Sequence, residues 1–450
     1  MRAIPRAIAL ATHTRPRRRI TGWDLSVLVA ANAVAVVGLW WRQGGLRDIH
    51  DIAGLLTSLG RVTGLLGAFL ALVQLLLLAR IPVLDTLGLE RVGRWHRLNG
   101  IACLALIAAH TVLITAGYAL ADDVSVVREA GDLLTDYSGV LLATIALGLL
   151  VAAAVTSVVV VRRRLSYRAW HAVHVTTYAA IALAFSHQLA TGNEFQQQPV
   201  ARAYWWALYA ATLAALIAFR LVLPVARSLR HRLHIERVVE EAPGVVSLEI
   251  GGERLDRFRV LSGQFLHWRF LARGHWWETH PFSLSAAPDG RRLRITVKHL
   301  GDYTSRLASL PPGTRVVAEG PSGGLTSASR RRRRVALIAG GVGIAPMRAL
   351  LEDMPGEPGD IAVIYRAAGE GALLFRDELD ELSVRRGADL HYVLGPDDPL
   401  SPERLRELVP DIADRDVYVC GSRRMTEGTR ANLVAAGVPA RQIVSEGLGW

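Results

Sequence analysis

The chain has 450 residues, of which 51% are hydrophobic, and a formal net charge of +12. It contains two cysteines, Cys103 and Cys420, one in each half, so a disulfide framework is not expected. The positive charge does not indicate nucleic-acid binding, because the arginines cluster beside apolar segments and no basic groove interleaved with aromatic residues is visible.

Long apolar blocks dominate the chain up to about residue 223. About 20 apolar residues cross a bilayer as a helix, and six such spans are predicted, at residues 24–41, 53–79, 95–120, 137–161, 168–190 and 203–223. Residues 1–20 contain an apolar stretch too short for a signal peptide and are expected to form a cytoplasmic tail.

The arginines predict the orientation of these spans. The tail and the connections after the second and fourth spans hold six, four and four arginines. The three loops on the other side hold Arg42, Arg47, Arg128 and Arg202. The positive-inside rule therefore places both termini, and everything after residue 223, on the cytoplasmic side of the cell membrane.

Histidines recur at matching depths in the third and fifth spans. His96 and His110 are 14 residues apart, a rise of about 21 Å on a helix, and His174 and His187 are 13 apart, about 20 Å. Both spans run from inside to outside, so His96 is expected level with His174, and His110 level with His187. Two facing imidazoles at each level are typical of two b-type haems. Alternatively, the histidines are buried and hydrogen-bonded to neighbouring helices.

Several details of this arrangement stay open. A 13-residue spacing turns about 140° on an ideal helix, so the fifth span must be tilted or locally distorted. His171 competes with His174 for the inner level. Arg94 and Arg97 near the inner level, and Arg61 near the outer end of the second span, hold haem propionates or else snorkel at the membrane boundary.

After residue 225 the pattern is that of soluble protein. Short alternating strands punctuated by glycine and proline predict an antiparallel β-barrel over residues 226–328. Within it, "GDYTSRL" places Gly301, Thr304 and Ser305 at a helix start suited to a pyrophosphate, although any helix cap has a similar pattern.

The last part, residues 329–450, has the pattern of a Rossmann-like α/β domain. In "RRRRVALIAGGVGIAPMRALLEDM" an apolar strand leads through a glycine turn into a helix. Gly340, Gly341 and Gly343 let backbone amides approach a dinucleotide, and Pro346 lies near the first helical position. The run Arg330–Arg334 is expected to be a solvated linker, with contact to anionic headgroups as the alternative.

Four segments, "HPFSLSAAP", "VKHLGDYTSRL", "GGVGIAP" and "YVCGS", resemble the FAD- and nicotinamide-binding signatures of the ferredoxin–NADP reductase superfamily. Joined to six spans with paired histidines, they resemble the ferric reductase/NADPH oxidase family over nearly the whole chain after residue 20. The resemblance implies a multi-domain membrane protein: a tail (1–20), a ferric reductase-like six-helix transmembrane domain (21–225), an FAD-binding β-barrel domain (226–328) and an NAD(P)-binding domain (329–450).

The resemblance also assigns cofactor-binding residues: a flavin-binding strand (His280, Pro281, Phe282, Ser283 and Ser285, with Ser283 near the flavin ring), a pyrophosphate loop (Gly301 and Thr304), a dinucleotide loop (Gly340, Gly341, Gly343 and Pro346), and Cys420 with Gly421 beside the nicotinamide. Trp450 stacks on the isoalloxazine until the nicotinamide displaces it, or else is a frayed terminus. Arg366, with Arg423 or Arg424, favours a 2′-phosphate and hence NADPH over NADH.

The function implied is electron transfer from NAD(P)H through FAD and two b-type haems, with His96, His110, His174 and His187 as ligands, to dioxygen or ferric iron outside the membrane. Arg61 is expected to assist reduction of the small acceptor. Ile114 stands where relatives can carry a second histidine, which weakens the expectation of dedicated oxygen chemistry.

Two alternatives remain: electron transfer to quinone or a periplasmic partner, and a membrane sensor that binds haem and nucleotide without turnover. The sequence does not specify the acceptor or the oligomeric state.

Overall fold

The computed structural model describes residues 21–47, 49–85, 87, 89–196, 198–395 and 400–448. The predicted tail (1–20) and Trp450 lie outside these ranges. The chain divides into two compact units. One comprises Met1–Phe69 with Cys103–Gln198, and the other comprises Leu70–Ala102 with Pro199–Trp450.

In the described part of the N-terminal half, all the regular elements are helices: α1 (Gly22–Arg42), α2 (Ile52–Leu77), α3 (Pro82–Asp85), α4 (Leu89–Ala121), α5 (Val126–Asp136), α6 (Val140–Ser157), α7 (Val159–Arg162), α8 (Tyr167–Thr191), α9 (Asn193–Gln196), α10 (Pro199–Ile217) and α11 (Leu223–His231). A π-helical turn, Ala218–Val222, joins α10 to α11. Helix α1 begins at a capping box in which Thr21 and Asp24 bond each other's backbone amides.

Among the described residues, five helical segments are long and apolar enough to cross a membrane: Gly22–Arg42, Ile52–Leu77, Arg91–Ala121, Val140–Ser157 and Pro199–His231. The fifth predicted span coincides with α8, which has 25 residues but carries the polar side chains noted above and does not join this set. The structure therefore gives a membrane-helical N-terminal half with five candidate spans, and the number six stays a prediction.

Two three-stranded antiparallel sheets follow, in the orders β1-β2-β5 and β4-β3-β6. Their strands are β1 (His234–Ala242), β2 (Val245–Gly251), β3 (Phe265–Phe270), β4 (His280–Ser283), β5 (Leu293–Lys298) and β6 (Val316–Ser322). Isolated bridges between His234 and Arg315 and between Leu284 and Ile295 link the two sheets. Leu248, Trp268 and Ile295 are among the buried residues of the shared core. Antiparallel pairing agrees with the prediction, and closure into a barrel stays a prediction.

The last part is a five-stranded parallel sheet in the order β11-β10-β7-β8-β9. It consists of β7 (Val335–Gly340), β8 (Ile361–Ala367), β9 (Asp389–Leu394), β10 (Asp416–Ser422) and β11 (Ile443–Leu448). The remaining helices are α12 (Asp302–Ser305), α13 (Ile344–Asp353), α14 (Arg376–Arg386), α15 (Pro402–Leu408) and α16 (Arg423–Ala435). Because β8 and β10 lie on opposite sides of β7, the strand order reverses there, which is where doubly wound sheets bind ligands.

The arginine run before β7 is exposed, as expected, but it is not a free linker. Arg333 pairs with Asp360, its Nε 3.1 Å from a carboxylate oxygen. Arg334 pairs with Asp411 at 2.8 Å. The run is thus solvated, as predicted, and these carboxylates also anchor it to the parallel sheet.

Candidate cofactor sites

The structure brings the predicted outer histidines together. The ring centroids of His110 on α4 and His187 on α8 lie 6.3 Å apart, with the ring planes inclined at 53°. An imidazole nitrogen binds a metal ion at about 2 Å, so two rings that share one metal ion have centroids about 6 Å apart. The separation therefore fits two imidazoles that would hold one metal ion.

Hydrogen bonds at the Nδ1 atoms orient both rings. The Nδ1 of His110 lies 2.8 Å from the carbonyl oxygen of Gly60, which can only accept a hydrogen bond. The Nδ1 of His187 lies 3.0 Å from the Thr191 hydroxyl, which itself donates to the His187 carbonyl. The Gly60 carbonyl therefore fixes the proton of His110 on Nδ1, and in both rings the bonded Nδ1 leaves Nε2 as the atom suited to bind a metal. Metal-ligating histidines commonly have such a partner on the other nitrogen.

Glycines make room for this pair, and the sequence analysis missed them. A Cβ on Gly64 would lie 2.6 Å from the Nδ1 of His110, and one on Gly60 would lie 2.9 Å from the Cδ1 of Ile114. A Cβ on Gly139 would lie 2.9 Å from the Cα of His187. The four-residue spacing of Gly60 and Gly64 is the usual signal of closely packed membrane helices and would have found them.

The predicted inner histidines lie in different units, and their pairing stays a prediction. The Gln74 amide donates to the Nε2 of His96 at 3.1 Å and to the His96 carbonyl at 2.9 Å. The Asn99 amide donates to the Gln74 side-chain oxygen at 2.7 Å. His174 stacks on Trp170 with centroids 5.0 Å apart. The His96 nitrogen that would bind iron is thus occupied by Gln74, a contact that iron would have to replace.

Helix α8 runs without a break between His174 and His187. The tilt or local distortion expected of this span stays a prediction. The hydroxyls of Thr176 and Thr177 donate to the carbonyls of Val173 and His174, and such back-bonding bends helices. His171 also lies beside Trp170, with centroids 6.3 Å apart, so its competition with His174 stays open.

The three arginines assigned to the haem levels lie on α2 and α4. Arg61 follows Gly60 on α2 and is partly buried, while Arg94 and Arg97 on α4 are exposed. Their predicted roles stay predictions.

The predicted flavin-binding strand, β4, pairs antiparallel with β3. Pro281 lies opposite His267, and Ser283 lies opposite Phe265. Cross-strand partners share a face of the sheet, so Pro281 and Ser283 lie on the face opposite the fully buried Trp268. Ser283 is thus on the outer face, where a flavin ring can reach it.

His280 has a different environment. Its ring centroid lies 3.9 Å from that of Tyr303 in the "GDYTSRL" segment, and its Nε2 lies 3.0 Å from Glu278. On the inner face of β4, Phe282 lies opposite Leu266. His280 therefore connects the flavin-binding strand to the predicted pyrophosphate loop.

Two other predicted flavin contacts are already bonded within the protein. The Thr304 hydroxyl accepts from the amides of Leu300, at 2.9 Å, and Gly301, at 3.2 Å, so it shapes the loop. Ser285 is fully buried, and its hydroxyl accepts from Thr296 at 2.8 Å. A role for Ser285 in flavin binding stays a prediction.

The predicted dinucleotide residues meet at the carboxyl ends of β7, β8 and β10. Ala339 pairs with Cys420, and Gly340 with Arg366. A Cβ on Gly343 would lie 2.3 Å from the Cys420 carbonyl oxygen, which explains the need for glycine. Gly341, at φ +54°, faces open space.

Helix α13 follows this turn with Pro346 buried in its first turn. The sequence analysis missed Met425, on α16. A Cβ on Gly340 would lie 3.1 Å from its sulfur, and one on Gly421 would lie 2.6 Å from it. A methionine within a helix carries no signal for such a contact.

Cys420 is fully buried at this edge. Burial, reinforced by the charge of Glu446, raises the pKa of the Cys420 thiol well above its ordinary value, so the thiol stays protonated at neutral pH. Glu446 lies opposite Cys420 in the register of β10 and β11, and its carboxylate accepts from the Gly324 amide at 2.7 Å. This bond ties the end of the predicted FAD segment to the parallel sheet.

A buried carboxylate joins the sheet β4-β3-β6, which we call the flavin sheet because it contains the predicted flavin-binding strand, to the ends of helical segments. Glu319 on β6 is 5% exposed and lies opposite His267. It pairs with Arg80, which follows α2, with Arg220 of the π-helical turn at 3.9 Å, and with Arg269 of β3 at 3.6 Å. Burial, then Arg80 and Arg220, lower the pKa of His267 well below its usual value, so this ring is neutral. We call Glu319 with its three arginines the Glu319 cluster.

Family models match three consecutive parts of the chain. "Ferric reductase like transmembrane component" matches residues 63–185, "FAD-binding domain" matches 242–324, and "Oxidoreductase NAD-binding domain" matches 337–431. The chain has the architecture of the ferric reductase/NADPH oxidase family. This ferric reductase-type chain therefore combines a membrane-helical region with FAD- and NAD-binding domains of the oxidoreductase type.

Curated relatives match part of this ferric reductase-type chain. A flavohemoprotein of Burkholderia sp. (strain TH2) is 29% identical over 229 residues, 46% of this chain and 56% of that protein. NADH-cytochrome b5 reductase 1 of Meyerozyma guilliermondii is 30% identical over 170 residues, 34% of this chain and 59% of that protein. The chain thus spans less than two thirds of the length of these relatives.

Among solved structures, the flavohem-like FAD/NAD-binding domain of nitric oxide dioxygenase from Vibrio cholerae O1 biovar El Tor is similar at 22% identity and a TM-score of 0.41. The match covers 48% of this chain and 98% of that one.

Proposed function

We propose that this protein transfers electrons from cytoplasmic NAD(P)H, through FAD and two b-type haems, to dioxygen or ferric iron on the other side of the membrane. Each NAD(P)H supplies two electrons and releases one proton, and two one-electron acceptors are reduced. FAD and haem supply the redox chemistry, because a flavin accepts a hydride and releases electrons singly. The proposal includes six membrane spans with both termini cytoplasmic.

The observation that carries the proposal is the His110–His187 pair. A flavin reductase that worked only in solution would need no facing imidazoles in its apolar helices. Here two rings at a separation that fits a shared metal both have Nδ1 bonded, so both Nε2 atoms suit ligation. Ionisable residues in membrane helices are costly, which makes an unused pair hard to explain.

The side chains of the soluble half would position the cofactors. The outer face of β4, with Pro281 and Ser283, would carry the flavin ring, and the glycine turn Gly340–Gly343 would carry the dinucleotide phosphates. Cys420 keeps its thiol proton, so it would contact the nicotinamide as a neutral group and not as a nucleophile.

Choice of dinucleotide depends on Arg366. The relative from Meyerozyma is named for NADH. In this chain Arg366 is the penultimate residue of β8, and Arg423 begins α16 at the same edge of the sheet. Guanidinium groups there would pair with a 2′-phosphate, and we therefore propose NADPH as the preferred donor.

The decisive experiment follows flavin and haem absorbance in the purified full-length protein. NADPH added without oxygen is expected to bleach the flavin and then reduce haem, and oxygen or a ferric chelate admitted afterwards is expected to reoxidise haem. Quinone added in a separate sample tests the alternative acceptor. Purified protein without Soret absorbance, or flavin that NADPH does not bleach, would refute the proposal.

Ligand assignment needs a matched pair of variants. His110→Leu is expected to lower the haem content by about half, since one of two sites loses a ligand. Thr111→Val changes the next residue, which is exposed and bonds only within α4, and is expected to keep both haems. Equal haem content in the two variants would show that His110 is not a haem ligand.

A further inference from the structure

An arginine-lined cavity lies where the last candidate span meets the soluble half. Its volume is about 570 Å³, and it is lined by Leu223, Ala226, Arg227, Arg230, His231, Asp256, Arg257 and Arg259. Four arginines against one aspartate leave three excess positive charges. Neither the flavin sheet nor the dinucleotide turn contributes to this lining, so the cavity is separate from the proposed cofactor sites.

The side chains of two of the four arginines of this cavity have no partner among the described residues. Arg257 pairs with Asp256 at 3.9 Å, and Arg227 donates to the Gly320 carbonyl and lies over the Phe258 ring at 5.5 Å. Arg230 and Arg259 are exposed and form no ion pair with any residue that the structure describes. Their guanidinium groups can take an external anion.

The helix places this cavity at the membrane boundary. Pro199–His231 has 33 residues, about 50 Å of helix, whereas the hydrocarbon core is about 30 Å thick. Residues 203–219 carry no charge, and Arg220 ends that run. The part that bears Arg227 and Arg230 therefore extends beyond the hydrocarbon, to the level of lipid headgroups.

The same segment exposes apolar side chains. Leu229 is 72% exposed, and Leu223 and Val225 are also exposed. Apolar side chains beside arginines are typical of helices that lie in the membrane interface. A soluble phosphate compound would gain nothing from these residues, whereas a lipid would bury them.

From these observations we propose that the cavity binds the phosphate headgroup of an anionic membrane lipid. Arg230 and Arg259 pair with the phosphate, since guanidinium groups match its oxygens in bidentate geometry. The volume exceeds that of a phosphate alone and is within the range of sites for small ligands, which leaves room for a glycerophosphate headgroup.

The test uses the full-length protein in detergent, titrated with fluorescent phosphatidylglycerol or phosphatidylcholine. The wild type is expected to prefer phosphatidylglycerol by about tenfold, and Arg230→Gln/Arg259→Gln is expected to abolish that preference. Arg232→Gln/Arg291→Gln removes the same charge from exposed arginines outside the cavity and is expected to keep it.

Three outcomes would overturn the proposal. They are equal binding of the two lipids by the wild type, equal loss of preference in both double variants, and displacement of the lipid by glycerol 3-phosphate at comparable concentration. The last would show a site for soluble phosphate compounds. Equal thermal unfolding midpoints of the three proteins exclude misfolding as the cause of any loss.

Discussion

At the scale of single residues, the carbonyl of Gly60 decides which nitrogen of His110 can bind a metal. It accepts from Nδ1, and Gly64 beside it leaves the ring room. The spacing of the histidines was enough to predict that His110 and His187 face each other, because helical rise converts sequence separation into depth. The contact of Gln74 with His96 could not be predicted, since it depends on how neighbouring helices pack.

Gly64→Ala tests whether the His110 ring needs the space that this glycine leaves. Its Cβ would lie 2.6 Å from the Nδ1 of His110, so the ring must move, and haem content is expected to fall by up to half. Gly148→Ala, also within a membrane helix, meets no atom within 4 Å and is expected to keep full haem content. The pyridine haemochrome spectrum measures both, and equal losses would mean that helix propensity and not ring position is responsible.

Arg366→Ala tests dinucleotide choice. We expect KM for NADPH to rise about tenfold or more, because a charge-assisted pair with the 2′-phosphate is lost, and KM for NADH to change little. Arg385→Ala removes an exposed arginine of α14 and is expected to alter neither constant. An equal rise for both dinucleotides would show that Arg366 does not distinguish them.

At the scale of elements, local patterns predicted the strand–glycine turn–helix unit well, because apolar runs and glycines determine it locally. Helix ends were less predictable. The sixth predicted span stops at residue 223, whereas the helix continues through a π-helical turn to His231. Arg220 ends the apolar run without ending the backbone hydrogen bonds.

Contacts between elements could not be predicted from the sequence. Arg294 of β5 and Arg348 of α13 both bond the Glu378 carboxylate of α14, and both donate to the Ser285 carbonyl. These bonds connect the antiparallel sheets to the parallel sheet. Burial alone would raise the pKa of Glu378, but the two arginines outweigh it and lower the pKa below its ordinary value of 4.5.

This shift predicts an acid dependence. A carboxyl group whose pKa is lower in the folded state stabilises the fold above pH 4.5, and the contribution is lost as pH falls through the folded pKa. The unfolding midpoint of the wild type is therefore expected to fall more steeply below pH 4.5 than that of Glu378→Gln. Glu381→Gln, an exposed partner of Arg385, is expected to follow the wild type. Parallel curves for all three proteins would contradict this role of Glu378.

At the scale of the whole molecule, the Glu319 cluster links the transmembrane half of the sequence to the flavin sheet. Arg80 and Arg220 come from helix ends, and Glu319 lies opposite His267 on the strand that pairs with β4. These partners are far apart in the chain, and no local pattern identifies them. The cluster therefore joins the sheet β4-β3-β6 to the residue that follows α2 and to the π-helical turn.

Glu319→Gln is expected to slow haem reduction by NADPH severalfold while NADPH–ferricyanide activity, which needs only the flavin, is retained. Three guanidinium groups then lack their carboxylate, and breaking such a buried pair costs about 3 kcal/mol. Glu253→Gln breaks an exposed pair with Arg232 and is expected to leave both rates unchanged. If Glu319→Gln lowers both rates equally, the cluster only stabilises the soluble half.

The burial of both thiols has a practical consequence. Cys103 and Cys420 are each less than a tenth exposed, and the raised pKa of Cys420 further slows its alkylation. The wild-type chain is thus nearly inert to maleimide and nitroxide reagents under native conditions. Single cysteines introduced on its surface can then carry spin labels or dyes for distance measurements during turnover, without first removing either natural thiol.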